Sequence, residues 1–234
     1  MSRNMPDVHE GPEGEMATAD TEPPRVVTLA STYGTRDAEI GALVAGRLGV
    51  DFLDRDIPAA VAERLDIPEE AAAAQEAPKG PLDRLLAVLA RVPVTTQERP
   101  HERVVADERR YKAEVNALLV DRAASGCVVL GRAGALILRS VPGALHVRLD
   151  GPQQARVLQA MRTEGLDEQT AERKRRANDR ARFAYGRDLF GVDPTDRDFY
   201  HLQIDTTALD IATCVELIIT ASDARAQHAV HDTV

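Results

Sequence analysis

The stretch RVVTLASTYGTRDAEIG, from Arg25 to Gly41, decides the fold. Its first part, Arg25–Ala30, is a short apolar run rich in β-branched residues, which predicts a buried strand. From Asp37 onward apolar residues recur at helical spacing, which predicts a helix that ends at Gly49. A loop between a buried strand and a helix N-terminus is a natural anion site, because backbone N–H groups and the helix dipole meet there. An ordinary strand-to-helix turn stays equally open, because the full phosphate-loop signature is absent.

Composition bounds the class of protein. The 234 residues are 44% hydrophobic but only 3% aromatic, which predicts one sizeable domain with an aliphatic core. The net charge of -9 gives no indication of nucleic acid or an anionic membrane as a partner. Cys127 and Cys214 lie in apolar runs and are typical of buried thiols in a reducing compartment. With no signal-type or membrane-length apolar segment, the sequence predicts a soluble cytoplasmic protein.

Four further apolar runs predict strands, at Val50–Asp54, Cys127–Gly131, Ala144–Asp150 and Tyr200–Asp205. Helical patterns separate the five strands, which is typical of a parallel α/β sheet with helices on both faces. The predicted domain spans residues 25–222. An acidic disordered tail, 1–24, precedes it, and a polar tail, 223–234, follows it.

Ligands of such sheets bind beyond the carboxyl ends of the strands, where the loop Ser31–Ala38 lies. Arg132 follows the third strand and either reaches this cleft or lies across the surface. A charged helix is predicted from about Asp167 to Arg187, and most of its cations must be solvated. The stripe formed by Arg176, Arg180 and Arg187 is also compatible with a lid over phosphates. The pattern does not favour nucleic-acid binding by this helix, because interleaved stacking aromatics are missing and the net charge of the chain is negative.

Four motifs in order resemble the cytidylate-kinase-like family of P-loop proteins, from about Arg25 to Ser222. ASTYGTRDAEIG, Ala30–Gly41, is similar to the family's Ser-Arg-Glu-Tyr-Gly-Ser-Gly-Gly-Arg-Glu-Ile-Gly. The others are DFLDRD at Asp51–Asp56, VVLGR at Val128–Arg132, and the late pattern of Asp179, Arg182, Tyr185 and FYHLQIDTT, Phe199–Thr207.

The resemblance implies a P-loop NTPase-like five-stranded parallel sheet with a helical lid at about 167–198. It implies transfer of the ATP γ-phosphoryl group, with Mg²⁺, to a nucleotide such as CMP. The donor phosphates would lie on Tyr33, Gly34, Thr35, Arg36, Asp37 and Ala38. Asp54, Arg55 and Arg132 would line the acceptor side, and Arg176, Arg180, Arg182 and Arg187 would belong to the lid. The catalytic candidates are Arg36, Arg132 and Arg182; no residue is assigned as a metal ligand, and a homo-oligomer is compatible with the sequence.

The loop departs from the family pattern on the donor side. Arg36 and Asp37 stand where the family has Gly-Gly, and Ala38 stands where it has Arg. The loop has no lysine, as is common in the family, and Ala38 lacks a hydroxyl for Mg²⁺. Where related kinases carry Asp after the third-strand arginine, this chain has Ala133. Two hypotheses follow: a nucleotide phosphotransferase, or a catalytically impaired nucleotide-binding or regulatory protein.

Overall fold

The structure, a computed structural model, describes residues 24–54, 100–131 and 133–231. Nearly all of the predicted acidic tail, together with Arg55 and Arg132, lies outside the described residues. The strands are β1 Val26–Ser31, β2 Asp51–Leu53, β3 Cys127–Leu130, β4 Leu145–Asp150 and β5 Leu202–Asp205. The helices are α1 Asp37–Leu48, α2 Pro100–Ala123, α3 Gly134–Ile137, α4 Gln153–Glu164, α5 Glu168–Phe190 and α6 Ile211–His231.

The strands form one parallel sheet in the order β2-β3-β1-β4-β5. The register pairs Leu29 with Leu130 and Ser31 with Leu149, so the carboxyl ends of neighbouring strands meet at one rim. The predicted five-stranded parallel sheet is therefore confirmed, and the loops after the strands share one edge of the sheet.

Alternation along each strand divides the core between two faces. Val26 faces a cluster with α2 and α3, whereas Val27 faces a cluster with α1 and α6. Both valines are fully buried, as expected for a central strand that is covered on both sides. Burial of these apolar side chains on two faces holds the helices on the sheet and fixes the rim.

Two helices, α4 and α5, share a small core of Val157, Ala160 and Ala171, on which Tyr33 packs. Asp167 caps the start of α5 by accepting a hydrogen bond from the Thr170 N–H. Helix α5 lies where the lid helix was predicted, is called the lid helix below, and is anchored to the loop after β1.

The end of the chain differs from the predicted polar tail. Helix α6 continues to His231, and Ala226 on it is buried. Arg25 forms an ion pair with Asp223 at 2.6 Å. These contacts explain why the segment after residue 222 continues the helix. Among the described helices, none is both long and apolar enough to cross a membrane.

Candidate functional site

A cleft of about 890 Å³ opens at the carboxyl ends of β1, β3 and β4, under the lid helix α5. Ser31, Thr32 and Asp54 border it on the side of the sheet. Its cationic side chains are Arg148, Arg156, Arg180 and Arg182, and its aromatic ones are Phe183, Tyr185, Phe199 and Tyr200. The cleft therefore combines positive charge with aromatic surface at the edge where α/β sheets bind ligands.

Tyr33 is anchored in the lid rather than in the cleft. Its backbone N–H donates to Asp179 at 2.8 Å, and its carbonyl accepts from Arg156 at 2.7 Å. Its hydroxyl donates to Glu164 at 2.6 Å. Burial raises the pKa of the Tyr33 phenol, and the hydrogen bond to Glu164 raises it further. The residue predicted to hold phosphate thus fastens the loop Ser31–Ala38, the phosphate loop, to α4 and α5.

Gly34 and Thr35 are fixed by close packing. Gly34 has φ +84°, and a Cβ there would lie 2.4 Å from the carbonyl oxygen of Arg156. Only glycine meets both conditions without strain. The Thr35 side chain is fully buried and donates to the Thr32 carbonyl at 2.8 Å. Its hydroxyl is therefore engaged inside the loop.

Arg36 lies just before α1 in a left-handed conformation, with φ 55°. Because this conformation strains a non-glycine residue, the loop carries backbone strain at Arg36, whereas Asp37 is the first residue of the helix. The Arg36 guanidinium donates twice to Glu39, at 2.9 Å each. This pair directs Arg36 along α1, and neither Arg36 nor its neighbour Ala38 is among the residues that line the cleft.

Asp37 joins the phosphate loop to the lid. Its Oδ2 accepts from the Ser31 hydroxyl at 2.5 Å and from Arg182 Nη1 at 2.9 Å. Arg182 also donates to the Ser31 carbonyl at 2.8 Å and to the Ser31 hydroxyl. The lid arginine predicted to contact phosphate therefore contacts a carboxylate of the loop in this structure.

The four predicted lid arginines are divided by their surroundings. Arg180 and Arg182 line the cleft. Arg176 forms an ion pair with Glu172 at 2.6 Å, and Arg187 lies over the Phe183 ring at 5.7 Å. The cleft meets the helix between residues 177 and 186, so the ends of the predicted stripe lie beyond it. On the acceptor side, the structure places Asp54 at the cleft.

Two buried arginines of the cleft were missed from the sequence. Arg156 forms an ion pair with Asp179 at 3.1 Å and donates to the Gly151 carbonyl at 2.9 Å. Arg148 forms an ion pair with Asp150 at 2.8 Å. Burial acts to raise the pKa of Asp150, but hydrogen bonds from Arg148, the Gly151 N–H and Thr32 outweigh it and lower that pKa. Arg148 could have been found from the sequence, because it lies inside the apolar run LHVRLD, where a buried charge needs a partner.

The phosphate loop does not fit Mg·ATP in the manner of ordinary P-loop kinases. Ala38 has no hydroxyl, the Thr35 hydroxyl is buried in a loop hydrogen bond, and Asp37 is engaged by Ser31 and Arg182. Within residues 24–54, 100–131 and 133–231, no three His, Cys, Asp or Glu side chains cluster as metal ligands would. The end of the loop therefore lacks a free hydroxyl of the kind that helps to hold the metal in such kinases.

The model of the Cytidylate kinase-like family matches residues 26–208, which is more than half of the chain and runs from β1 to just past β5. A match over this much of the chain is sufficient to assign it to a family.

Among curated proteins, a uronate isomerase of Corynebacterium glutamicum is 33% identical over 101 residues. The match covers 43% of this chain and 20% of that protein, so the chain corresponds to a minor part of the isomerase.

Among solved structures, an uncharacterized protein from Eubacterium ventriosum superposes with a TM-score of 0.60 at 16% identity, over 86% of this chain and 99% of that one. This likeness supports the fold alone. A gluconokinase from Sinorhizobium meliloti has a TM-score of 0.49 at 15% identity, over 90% and 98% of the two chains. A shikimate kinase from Acinetobacter baumannii has a TM-score of 0.45 at 18% identity, over 85% and 92%.

Proposed function

Because the chain belongs to the cytidylate kinase-like family, we propose that its cleft binds a nucleoside monophosphate such as CMP. We further propose that phosphoryl transfer from Mg·ATP is slow or absent in this member. The observation that carries the proposal is the position of Arg180 and Arg182 on the same cleft as Asp54 and the end of β1. Two guanidinium groups over a cleft at the sheet rim suit a phosphate group, because charge-assisted hydrogen bonds to phosphate are strong.

Arg180 is the side chain best placed to receive that phosphate. Among the described side chains, none forms an ion pair or a hydrogen bond with Arg180, whereas Arg148 and Arg156 are paired with Asp150 and Asp179. Its charge is therefore available to a ligand without breaking an internal contact. Arg55 and Arg132, which the family resemblance assigns to the acceptor side, complete this proposed set.

Aromatic side chains on the same cleft supply a surface for a base. Phe183, Phe199 and Tyr200 line it, and its volume of about 890 Å³ lies within the usual range of small-molecule sites. Stacking on an aromatic face is tolerant of base identity, because every base has a π-face. The proposal therefore names the class of ligand, a nucleoside monophosphate, with CMP as the member that the family resemblance favours.

The donor side supports the second part of the proposal. The loop has no lysine, Arg36 is paired with Glu39, and the hydroxyl that would help hold Mg²⁺ is replaced by Ala38. Phosphoryl transfer depends on positioning and charge neutralisation, and these losses remove both from the side of ATP. A cytoplasmic location, where nucleotides are abundant, fits the proposal.

The test is calorimetric titration of the protein with CMP, dCMP, AMP, GMP and UMP, and with ATP in the presence and absence of Mg²⁺. We expect a monophosphate to bind and Mg·ATP to bind weakly. Arg180→Ala should weaken monophosphate binding about 10- to 100-fold through loss of a charge-assisted contact. Arg176→Ala is the matched control, because Arg176 lies on the same helix but pairs with Glu172 outside the cleft. No binding of any monophosphate would refute the proposal.

An active phosphotransferase is the second candidate. The observation in its favour is that Asp54, Arg180 and Arg182 border one cleft with the phosphate loop, as phosphoryl transfer requires. A coupled assay for ADP formation, with CMP as acceptor, distinguishes an active phosphotransferase from a protein that only binds nucleotides. Turnover at rates of about 1–100 s⁻¹, which are typical of kinases, would favour the phosphotransferase.

A further inference from the structure

The carboxylate of Asp37 stands at the point where the phosphate loop enters α1. A helix N-terminus favours an anion, because its first N–H groups are unpaired and the dipole is positive there. Asp37 Oδ1 accepts from the Ala38 N–H at 3.0 Å, while Oδ2 accepts from Ser31 and Arg182. A backbone amide, a hydroxyl and a guanidinium are also the donors that a bound phosphate uses.

Arg182 gives Asp37 a partner from a distant part of the chain. It comes from α5, 145 residues later, and its Nη1 reaches Asp37 and Ser31 together. The Arg182 side chain is 42% exposed, so water competes for the contact. An exposed guanidinium that already lines the cleft can exchange one oxyanion partner for another without itself becoming buried, while Asp37 keeps the hydrogen bonds from Ser31 and the Ala38 N–H.

We propose that Asp37 is a built-in anion that occupies the phosphate loop when no ligand is bound, and that Arg182 exchanges Asp37 for a phosphate of the ligand. This inference rests on the proposed nucleotide binding and deepens it. Asp37 is then a specificity-determining residue. A monophosphate held by Arg180 and Arg182 leaves Asp37 in place, whereas a di- or triphosphate laid along the loop meets its negative charge.

The test is titration of Asp37→Asn with inorganic pyrophosphate and with ATP, both without Mg²⁺ and at fixed ionic strength. Asparagine keeps the shape of the side chain and removes the charge. We expect both ligands to bind Asp37→Asn at least about fivefold more tightly than they bind the parent. This factor corresponds to the repulsion between two like charges about 4 Å apart in water. Thermal unfolding of each variant confirms that it is folded.

Glu39→Gln is the matched control. It removes the same charge from the same turn of α1, but Glu39 pairs with Arg36, whereas Asp37 accepts from Ser31 and Arg182. Equal tightening by both variants would show a general charge effect and overturn the proposal, as would no tightening by Asp37→Asn. A second variant, Arg182→Ala in the Asp37→Asn background, should abolish the gain. A gain that persists without Arg182 would also overturn the exchange.

The same titrations separate this inference from the proposed function. Monophosphate binding by the parent, together with unchanged pyrophosphate binding by Asp37→Asn, would refute only the role of Asp37. Pyrophosphate binding gained by Asp37→Asn, in a protein that binds no monophosphate, would refute the proposed ligand and support the built-in anion.

Discussion

Replacing Asp179 with alanine should release the phosphate loop from the lid helix. Asp179 accepts the Tyr33 N–H at 2.8 Å and pairs with Arg156 at 3.1 Å and Arg175 at 3.4 Å. Arg156 is only 4% exposed, so removal of its partner leaves a charge buried. Removing one member of a buried pair costs about 3–5 kcal/mol. Asp179 is itself 22% exposed and Asp150 remains 3.6 Å from Arg156, so we expect a loss of about 3 kcal/mol, at the lower end.

The assay is hydrogen exchange of the Tyr33 amide, followed by NMR, because this amide donates directly to Asp179. A loss of about 3 kcal/mol in the opening free energy accelerates its exchange about 100-fold. The matched control is Glu168→Ala, which removes a carboxylate from the same helix at an exposed position, where it accepts a hydrogen bond from Gln154. That control should leave Tyr33 exchange unchanged. Unchanged Tyr33 exchange in Asp179→Ala would refute the reasoning that this carboxylate fixes the loop.

Three further changes probe the backbone and the core. Ala133→Gly should raise the free energy of unfolding by about 1 kcal/mol, because Ala133 has φ 55° and glycine adopts that conformation freely; urea unfolding measures it. Gly34→Ala should weaken both folding and monophosphate binding, because its Cβ would meet the Arg156 carbonyl, whereas Gly46→Ala, with nothing within 4 Å, should be neutral or stabilising in the same assays. Burial, then the nearby His201, lowers the pKa of His146 to about 4 from 6.5, so the unfolded state binds more protons between these values. Stability should therefore fall by about 3 kcal/mol as the pH drops through that window, and a flat urea midpoint from pH 7 to pH 4 would contradict it.

The sheet could be predicted because its signals are local. The run from Arg25 to Ala30 is apolar and β-branched, and strand β1 lies at Val26–Ser31. Gly49 was predicted to end the first helix, and it does so with φ 66° and its N–H donating to Ala45. Such features depend on neighbours in the chain, which hydrophobic period and capping chemistry encode directly.

The site could be predicted only in part, because its contacts join residues far apart in sequence. The pattern at Ser31–Ala38 indicated a loop at the sheet rim, and the structure has it there. Nothing in the local sequence shows that Tyr33 turns into the lid core, or that Arg36 pairs with its helical neighbour Glu39. The partner of Asp37 lies on the lid helix, at Arg182. Side-chain direction in a loop depends on tertiary packing, which the residue pattern alone leaves open.

The ion pairs Arg156–Asp179 and Arg182–Asp37 connect the lid helix to elements around the phosphate loop, and their different exposure gives them different roles. Arg156–Asp179 has one side chain only 4% exposed, whereas in Arg182–Asp37 the exposed fractions are 42% and 18%. Breaking the first leaves the buried Arg156 guanidinium without its partner, which costs several kcal/mol, whereas breaking the second leaves Arg182 in water and costs less. Asp179 and Arg182 are one helical turn apart, so the lid can exchange the partner of Arg182 while Asp179 still holds the Tyr33 amide. The proposed phosphate exchange at this loop would therefore require the movement of one arginine side chain and would leave the lid helix docked.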